Sequence, residues 1–137
     1  MSKAAMIPTP AVCGRGGWTR EAWIGQQNGR KATLYVIRLT GNGETFYKIG
    51  ITFSFSARFS RLRVPYAIRT MARYSSWNAG RIWDLEAKLL ARFSPIKYQP
   101  ELSFSGSTEC FAAVAEILAA LPKNTFFLKH TLNSYEV

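Results

Sequence analysis

The segment 33–52, which reads TLYVIRLTGNGETFYKIGIT, constrains the fold more than any other part of the chain. Two runs of apolar and β-prone residues flank the four residues 41–44, Gly-Asn-Gly-Glu. Glycine and asparagine tolerate the positive φ angles of a tight turn, so the segment predicts a β-hairpin. Because side chains alternate along a strand, both faces of each run are partly apolar. We therefore expect an interior hairpin that is covered on two sides.

The alternation also assigns the polar residues of the hairpin to faces. Tyr35 lies opposite to Leu34 and Val36 in the first run. Lys48 shares a face with Gly50 in the second run. The antiparallel register, which the sequence leaves open, decides whether Tyr35 and Lys48 meet. In the structural interpretation, a lysine in such a run extends its amine to solvent or pairs with a carboxylate. In the functional interpretation, Lys48 is a residue of a binding or catalytic site.

Length and composition indicate one folded domain with a basic surface. The 137 residues suffice for one compact domain, and 47% of them are hydrophobic. Lysine and arginine number 18 against 8 acidic residues, which gives a net charge of +10. No acid occurs between Glu44 and Asp84. The basic residues in this acid-free window are Lys48, Arg58, Arg61, Arg63, Arg69, Arg73 and Arg81.

The acid-free window predicts a nucleic-acid partner. Guanidinium groups match phosphate oxygens in geometry as well as in charge. A solvated basic face without a partner is the alternative. A membrane partner is not expected, because no helix pattern opposes a basic face to a large apolar one and no apolar run is long enough to span a bilayer.

Residues 1–31 read as a basic N-terminal arm that contains several glycines and prolines, and residues 32–137 read as the folded domain. Thr19 is a candidate N-cap for a short helix that carries Trp23. The arm either contacts a nucleic-acid backbone or covers the sheet with its tryptophans. It lacks the hydrophobic core of a secretory signal. The two cysteines match no metal-site spacing, so we expect reduced thiols in a cytoplasmic protein.

Further elements are predicted after the hairpin. Alternation of apolar residues indicates a strand, and apolar residues three and four positions apart indicate a helix. The predicted elements are a helix over 54–63 that carries Arg58, a strand over 66–75, helices over 78–93 and 107–121, and a short strand, or a segment laid against the core, at 126–128.

The helix predicted over 78–93 contains an unusual acid, Glu86. At 100° per residue Glu86 falls inside the apolar arc that Ile82 and Leu89 define, whereas Asp84 points outward. A buried carboxylate must be paired, protonated or metal-bound. For such a residue alone, an ion pair with an arginine is the commoner outcome. In a basic, phosphate-seeking protein, one inward carboxylate also suits the metal site of a Mg²⁺-dependent nuclease.

Taken in order, several features resemble the GIY-YIG nuclease superfamily, in the phage and bacterial branch whose second motif reads KIG. They are LYV at 34–36, YKIGIT at 47–52, Arg58, Glu86 with the apolar residues that follow it, and GSTECF at 106–111. The resemblance covers residues 33 to 111. It implies an α/β fold of the α+β type, with a small, three-stranded, mainly antiparallel sheet flanked by helices.

The resemblance also implies divalent-metal-dependent hydrolysis of phosphodiester bonds by four catalytic residues. Tyr35 would be the general base, and a tyrosine side chain, with a solution pKa of about 10, needs positive charge nearby for this role. Lys48, at the second-motif position, would contribute that charge. Arg58 would hold the phosphate. Glu86 would bind one Mg²⁺ or Mn²⁺ against the leaving oxygen.

The expected partner is DNA, most simply in its double-stranded form. The residues expected to contact it are Tyr47, Gly50, Arg61, Arg63, Arg69 and Arg73. Two other functions remain open on the same fold, namely a nucleic-acid-binding module without catalysis and an adaptor that binds another protein. The sequence leaves the oligomeric state open as well.

Overall fold

The computed structural model describes residues 17–55, 64–104 and 107–127. The fold is of the α+β type, an antiparallel sheet with a few helices. Within these residues no helix is long and apolar enough to cross a membrane. In chain order the elements are α1 (Arg20–Ile24), β1 (Ala32–Gly41), β2 (Glu44–Thr52), β3 (Ala67–Ser76), α2 (Ala79–Arg92), a 3₁₀ turn (Ser94–Ile96), a second 3₁₀ turn (Ser107–Glu109), β4 (Cys110–Phe111), α3 (Ala115–Ala119) and β5 (Phe126–Phe127).

In the described part of the chain the sheet has five strands, in the order β4-β2-β1-β3-β5, and they pair antiparallel. The expected number of three strands is therefore wrong, whereas the antiparallel arrangement is confirmed. The three central strands are those that the sequence predicts. The two edge strands have two residues each. β5 lies in the segment 126–128, where the sequence predicts a short strand or a segment laid against the core, whereas β4 lies inside a predicted helix.

β1 and β2 form the predicted hairpin. Asn42 and Gly43 make its turn with φ angles of 54° and 74°, the positive angles that a two-residue type I′ turn requires. In the register of the pair, Tyr35 lies opposite Gly50 and residue 37 lies opposite Lys48. Because opposed residues of an antiparallel pair point to the same side, Tyr35 and Lys48 share a face of the sheet.

Apolar side chains cover both faces of the hairpin, as predicted for interior strands. We call one side the helix face, because α2 packs on it over buried residues such as Leu34, Val36 and Ile49. We call the other side the tyrosine face, and Tyr98 and Phe104 pack against it. The buried residues of the tyrosine face are Tyr35, Ile37, Leu39, Phe46, Tyr66 and Cys110.

Side-chain caps begin both helices that the sequence places before and after the central strands. Asn78 caps α2, since its side chain accepts a hydrogen bond from the backbone N–H of Arg81 at 3.1 Å. Thr19 caps α1 in the same manner, accepting from the N–H of Ala22 at 3.1 Å. The predicted start of each helix is thereby confirmed.

Trp23 shows how the described part of the N-terminal arm is used. Its ring stacks on Phe53 with centroids 4.2 Å apart and lies 5.7 Å from the ring of Trp83. The side chain is buried in the cluster of the helix face. This tryptophan therefore covers the sheet, which is the packing interpretation of the arm. Residues 1–16 lie outside the described residues.

The predicted helix over 107–121 is wrong in its first half. Residues 107–109 form a 3₁₀ turn, and the next two residues form β4 on the edge of β2. Cys110 belongs to the cluster of the tyrosine face and Phe111 to that of the helix face. A strand buries neighbouring residues on opposite sides, which explains why this pair is extended rather than helical. In this stretch the α-helix is confined to Ala115–Ala119.

Candidate active site

The ring of Tyr35 occupies the space above Gly50, its partner on the neighbouring strand. A Cβ atom on Gly50 would lie 2.2 Å from Tyr35 Oη and 2.3 Å from Tyr35 Cζ, far inside van der Waals contact. Gly50 is not among the glycines with a positive φ angle. The strand therefore needs glycine at this position for close approach, and the missing side chain lets the buried tyrosine lie across β2.

Lys48 is buried on the same face, with 1% of its surface exposed. Its Nζ donates a hydrogen bond to Glu109 Oε1 at 2.9 Å and a longer one to the carbonyl oxygen of Ile49 at 3.3 Å. The same nitrogen lies 5.8 Å from the centroid of the Tyr35 ring. Lys48 therefore pairs with a carboxylate, as the structural interpretation of the sequence predicts. In this pair the ammonium lies beside the ring of Tyr35.

Opposing effects set the protonation of Lys48. Burial by itself lowers the pKa of Lys48, because desolvation disfavours the charged amine. Electrostatic interaction with Tyr35, Glu109 and Glu86, together with the hydrogen bond to Glu109, raises it by more, so that the pKa of Lys48 lies above its ordinary value. The ammonium is therefore a persistent positive charge in the interior of the molecule.

Glu86 is buried in α2 with 2% of its surface exposed, as the helical period predicts. Asp84 points outward, again as predicted, and pairs with Arg20 at 2.9 Å.

Two of the four expected catalytic residues, Tyr35 and Lys48, lie together on the tyrosine face. The third, Glu86, belongs to α2, which packs on the helix face, and its effect on the pKa of Lys48 is smaller than those of Tyr35 and Glu109. The fourth, Arg58, lies outside the described residues, as do the other residues of its predicted helix after position 55.

A metal ion would find one suitable protein ligand in this group. The described residues contain no set of three or more His, Cys, Asp or Glu side chains that could hold an ion by themselves. Mg²⁺, however, usually keeps several waters and takes one or two carboxylates together with substrate phosphate oxygens. Glu86 fits a site of that kind. Glu109 is less suitable, because its Oε1 already accepts a hydrogen bond from Lys48.

Arg73 is the expected DNA contact that lies directly across the sheet from Tyr35. It is exposed, and its guanidinium carbon lies over the ring of Phe55, 4.9 Å from the centroid. Phe55 in turn meets the Tyr35 ring edge-on, with centroids 6.0 Å apart. Arg69 is exposed as well, but it lies opposite Arg38, on the helix face of the sheet and therefore not on the face of Tyr35.

The other expected DNA contacts are not brought to this surface. Tyr47 is 3% exposed and belongs to the core of the helix face, because strand alternation turns it away from Lys48. The space over Gly50 is filled by the tyrosine ring. Arg61 and Arg63 lie outside the described residues.

Two residues to which the sequence assigns no role belong to the group. Glu109 is the partner of Lys48, and Phe55 links Tyr35 to Arg73. The sequence includes Glu109 in the motif GSTECF at 106–111 but does not pair it with Lys48. Its contact with Lys48 joins positions 61 residues apart, and no local pattern records such a contact.

The candidate site therefore consists of the phenol of Tyr35, the ammonium of Lys48 and the carboxylate of Glu109, supplied by β1, β2 and the turn before β4. The carboxylate of Glu86, on α2, acts more weakly on the pKa of Lys48. A phenol beside a persistent cation is suited to proton transfer, and a buried carboxylate is suited to a divalent cation. An exposed arginine beside them is suited to phosphate. Comparison with family models, with curated proteins and with solved structures found no match to this chain.

Proposed function

We propose that this protein is a divalent-metal-dependent DNA endonuclease that hydrolyses phosphodiester bonds, as its resemblance to the GIY-YIG superfamily implies. The observation that supports the proposal best is the position of the buried Lys48 ammonium, 5.8 Å from the centroid of the Tyr35 ring and 2.9 Å from Glu109 Oε1. Apolar side chains of the same size often stabilise a protein as well as a buried ion pair does, or better. A buried lysine between a phenol and a carboxylate therefore suggests a role beyond stability.

Tyr35 is the proposed acceptor of a proton from the attacking water. A neutral phenol is a weak base, and a phenolate forms near neutral pH only where positive charge offsets its own. Lys48 supplies such a charge 5.8 Å from the ring centroid. Glu109 holds the ammonium in that position through the 2.9 Å hydrogen bond, which makes Glu109 a positioning residue.

Glu86 is the proposed ligand of one Mg²⁺ or Mn²⁺. When bound, the ion would act as a Lewis acid toward the negative charge that develops on the leaving oxygen. The contribution of the chain is a carboxylate fixed on α2 inside the core. Arg58 is assigned to the phosphate by the resemblance alone, whereas Arg73 is supported by its exposed position across from Tyr35.

The charge of the molecule supports a nucleic-acid substrate. The chain carries +10, and its acid-free window from residue 45 to residue 83 includes the whole of β3. A polyanion is attracted to such a surface, and its counterions are released on binding. Double-stranded DNA is the simplest form of substrate for this proposal.

Nicking of a supercoiled plasmid in Mg²⁺ or Mn²⁺ tests the proposal. We expect the wild type to convert the plasmid to open circles, and we expect Glu86→Gln and Tyr35→Phe to lower the rate about 100-fold or more, since each removes a group used in the reaction. Glu116→Gln alters an exposed carboxylate of α3 and is the matched control, which should keep the wild-type rate. Equal rates for the wild type and Glu86→Gln would exclude this mechanism.

A nucleic-acid-binding module without catalysis is the second candidate. The Lys48–Glu109 ion pair favours it, because a paired and buried lysine can also serve the fold alone. This candidate predicts DNA binding that weakens steeply as salt increases, with no nicking by the wild type in either metal. The plasmid assay combined with a binding assay therefore separates the two functions.

A further inference from the structure

Arg73 contacts two aromatic rings at the border of the tyrosine face. Its guanidinium carbon lies 4.9 Å from the ring centroid of Phe55 and 5.3 Å from that of Phe126. Phe126 is also its partner on β5. A guanidinium stacked on rings keeps the N–H donors along its edge available in its own plane, where they match the oxygens of a phosphate. Arg73 is thereby prepared to bind an anion beside Tyr35.

Phe126 exposes 53% of its surface although it belongs to the sheet. The next residue, Phe127, packs against the cluster of the helix face, which explains a phenylalanine at that position. Phe126 does not belong to that cluster. A single exposed aromatic residue needs no explanation. An exposed ring stacked with an arginine, next to the candidate active site, has the composition of surfaces that bind single-stranded nucleic acids.

A second exposed ring follows along the same strand. Trp77 comes directly after β3 and exposes 64% of its surface, and the Nζ of Lys31 lies 5.3 Å from its ring centroid. It is four residues beyond Arg73, about 13 Å at the rise of a strand. The chain between Glu44 and Asp84 contributes no negative side chain that would repel phosphate. Two exposed rings, each in contact with a basic side chain, therefore lie one after the other in the direction of β3.

We propose that Phe126 and Arg73 form a subsite for an unpaired nucleotide, in which the ring stacks on the base and the guanidinium binds the phosphate. The nucleic-acid strand would continue along β3 toward Trp77 and Lys31. This inference rests on the nucleic-acid substrate of the proposed function and narrows it. Bases inside a continuous duplex stack on one another and offer no face to Phe126. The favoured substrate is DNA with single-stranded nucleotides next to the cleaved bond.

Fluorescence anisotropy with the full chain in EDTA tests the subsite, because binding is then measured without cleavage. The probes are a labelled single strand of about 12 nucleotides, a blunt duplex of the same sequence, and that duplex with a single-stranded tail of about six nucleotides. We expect the wild type to bind the tailed duplex at least about fivefold more tightly than the blunt one. Phe126→Ala and Phe126→Leu should weaken binding of the tailed duplex and the single strand about tenfold, and binding of the blunt duplex less than about twofold. Phe126→Trp should keep the wild-type affinities.

Phe126→Leu separates stacking from packing, since leucine keeps apolar volume and loses the aromatic face. Arg73→Gln should weaken single-strand binding and reduce the slope of log K against log salt by about 0.7. Arg92→Gln is its matched control, because Arg92 is also exposed and lies 5.1 Å from the Phe93 ring centroid, but on α2. It should change both quantities much less.

Three results would overturn the subsite: equal affinity of the wild type for tailed and blunt duplexes, equal losses on both from Phe126→Leu, or an effect of Arg92→Gln as large as that of Arg73→Gln. None of them bears on plasmid nicking, which depends on Glu86 and Tyr35. A wild type that cleaves neither the plasmid nor the tailed duplex in Mg²⁺ or Mn²⁺, but binds the tailed duplex more tightly than the blunt one, refutes the nuclease and leaves the subsite supported. Failures of the two proposals are therefore distinguishable.

Discussion

Gly50 matters for the room that it leaves above β2. Its backbone is not in the left-handed region, so conformational freedom does not explain the glycine. The Cζ and Oη atoms of Tyr35 occupy the space that a Cβ atom on residue 50 would need. The position of the proposed general base therefore depends on a neighbour without a side chain.

We expect Gly50→Ala to lower the free energy of unfolding by about 1 to 3 kcal/mol, because the added methyl group overlaps the Tyr35 ring inside a packed core. Urea unfolding followed by tryptophan fluorescence measures the loss. Adding Tyr35→Phe should not relieve it, since the overlap includes Cζ, whereas adding Tyr35→Leu should. Gly25→Ala is the control, because a Cβ there would meet its nearest atom at 3.4 Å, an ordinary contact. A Gly50→Ala protein as stable as the wild type would contradict this packing.

At the level of elements, the Lys48–Glu109 pair joins β2 to the turn that leads into β4. Both side chains are almost fully buried, so each charge depends on the other for compensation. The pair Arg20–Asp84 has the same 2.9 Å separation, but its side chains are largely exposed. Because the two distances are equal, we expect burial to set how much stability is lost when one partner of each pair is removed.

We expect Lys48→Met and Glu109→Leu, each alone, to cost about 3 to 5 kcal/mol of stability, because each leaves one buried charge without its partner. The double variant should regain most of that loss, since two apolar side chains of similar size carry no desolvation penalty. It should fold and remain inactive in the nicking assay, which separates the structural role of the pair from the proposed role of Lys48.

The same substitutions at the exposed pair, Arg20→Met and Asp84→Leu, provide the control for this cycle and should each change stability by less than about 1 kcal/mol through loss of the charge pair. Denaturant unfolding of these four single variants and of the two double variants, Lys48→Met with Glu109→Leu and Arg20→Met with Asp84→Leu, gives the coupling energies. Losses at Lys48 and Glu109 that simply add in the double variant would show that the two charges do not compensate each other.

Elements whose pattern is long enough to repeat could be predicted from the sequence. The strands β1, β2 and β3 and the helix α2 span 9 to 14 residues, and alternation or the helical period identifies each of them. The edge strands β4 and β5 have two residues each and pair with backbone groups of β2 and β3. Such pairing depends on a partner strand far away in the sequence, so no local pattern predicts it.

The candidate site was predictable to a similar extent. The burial of Glu86 follows from the helical period. The sequence leaves the register of the hairpin open, and the structure shows that a two-residue Asn-Gly turn gives Tyr35 and Lys48 a shared face. Such a turn pairs residue 41 with residue 44, and counting outward places 35 opposite 50. The contact of Lys48 with Glu109 could not be derived in this manner, because it depends on how a distant segment folds back onto β2.

Over the whole molecule, carboxylates are few and several of them have structural partners. The chain has 8 acidic residues against 18 lysines and arginines. Among the described acids, Glu86 and Glu109 are buried and Glu44 accepts several hydrogen bonds. As carboxylates take up protons at low pH, the net charge of the molecule rises above +10, which increases self-repulsion. Stability should therefore depend on pH mainly on the acid side.

Glu44 connects the hairpin turn to the segment that covers the tyrosine face. Its carboxylate accepts hydrogen bonds from the side-chain amide of Asn42 at 3.0 Å and from the hydroxyl of Tyr98 at 2.5 Å. The hydroxyl of Tyr66, at 2.8 Å, and the backbone N–H of Glu101, at 3.2 Å, also donate to it. These hydrogen bonds lower the pKa of Glu44 to about 2, and the one from Asn42 has the largest effect. The hydrogen bond to Glu44 in turn raises the pKa of Tyr98 to about 12.

Protonation of Glu44 should weaken this network only at strongly acidic pH. The folded-state pKa of Glu44 lies below the value of about 4.3 for an unperturbed glutamate, so its contribution to stability is complete above that pH and is lost as the pH falls toward 2. We expect the difference in Tm between the wild type and Glu44→Gln to be widest above about pH 5 and to close as the pH approaches 2. Thermal unfolding followed by circular dichroism measures it, with Glu116→Gln, at an exposed position, as the control that should show no such trend. A difference that stays constant from neutral pH to about pH 2 would mean that the carboxylate of Glu44 does not hold the turn against the covering segment.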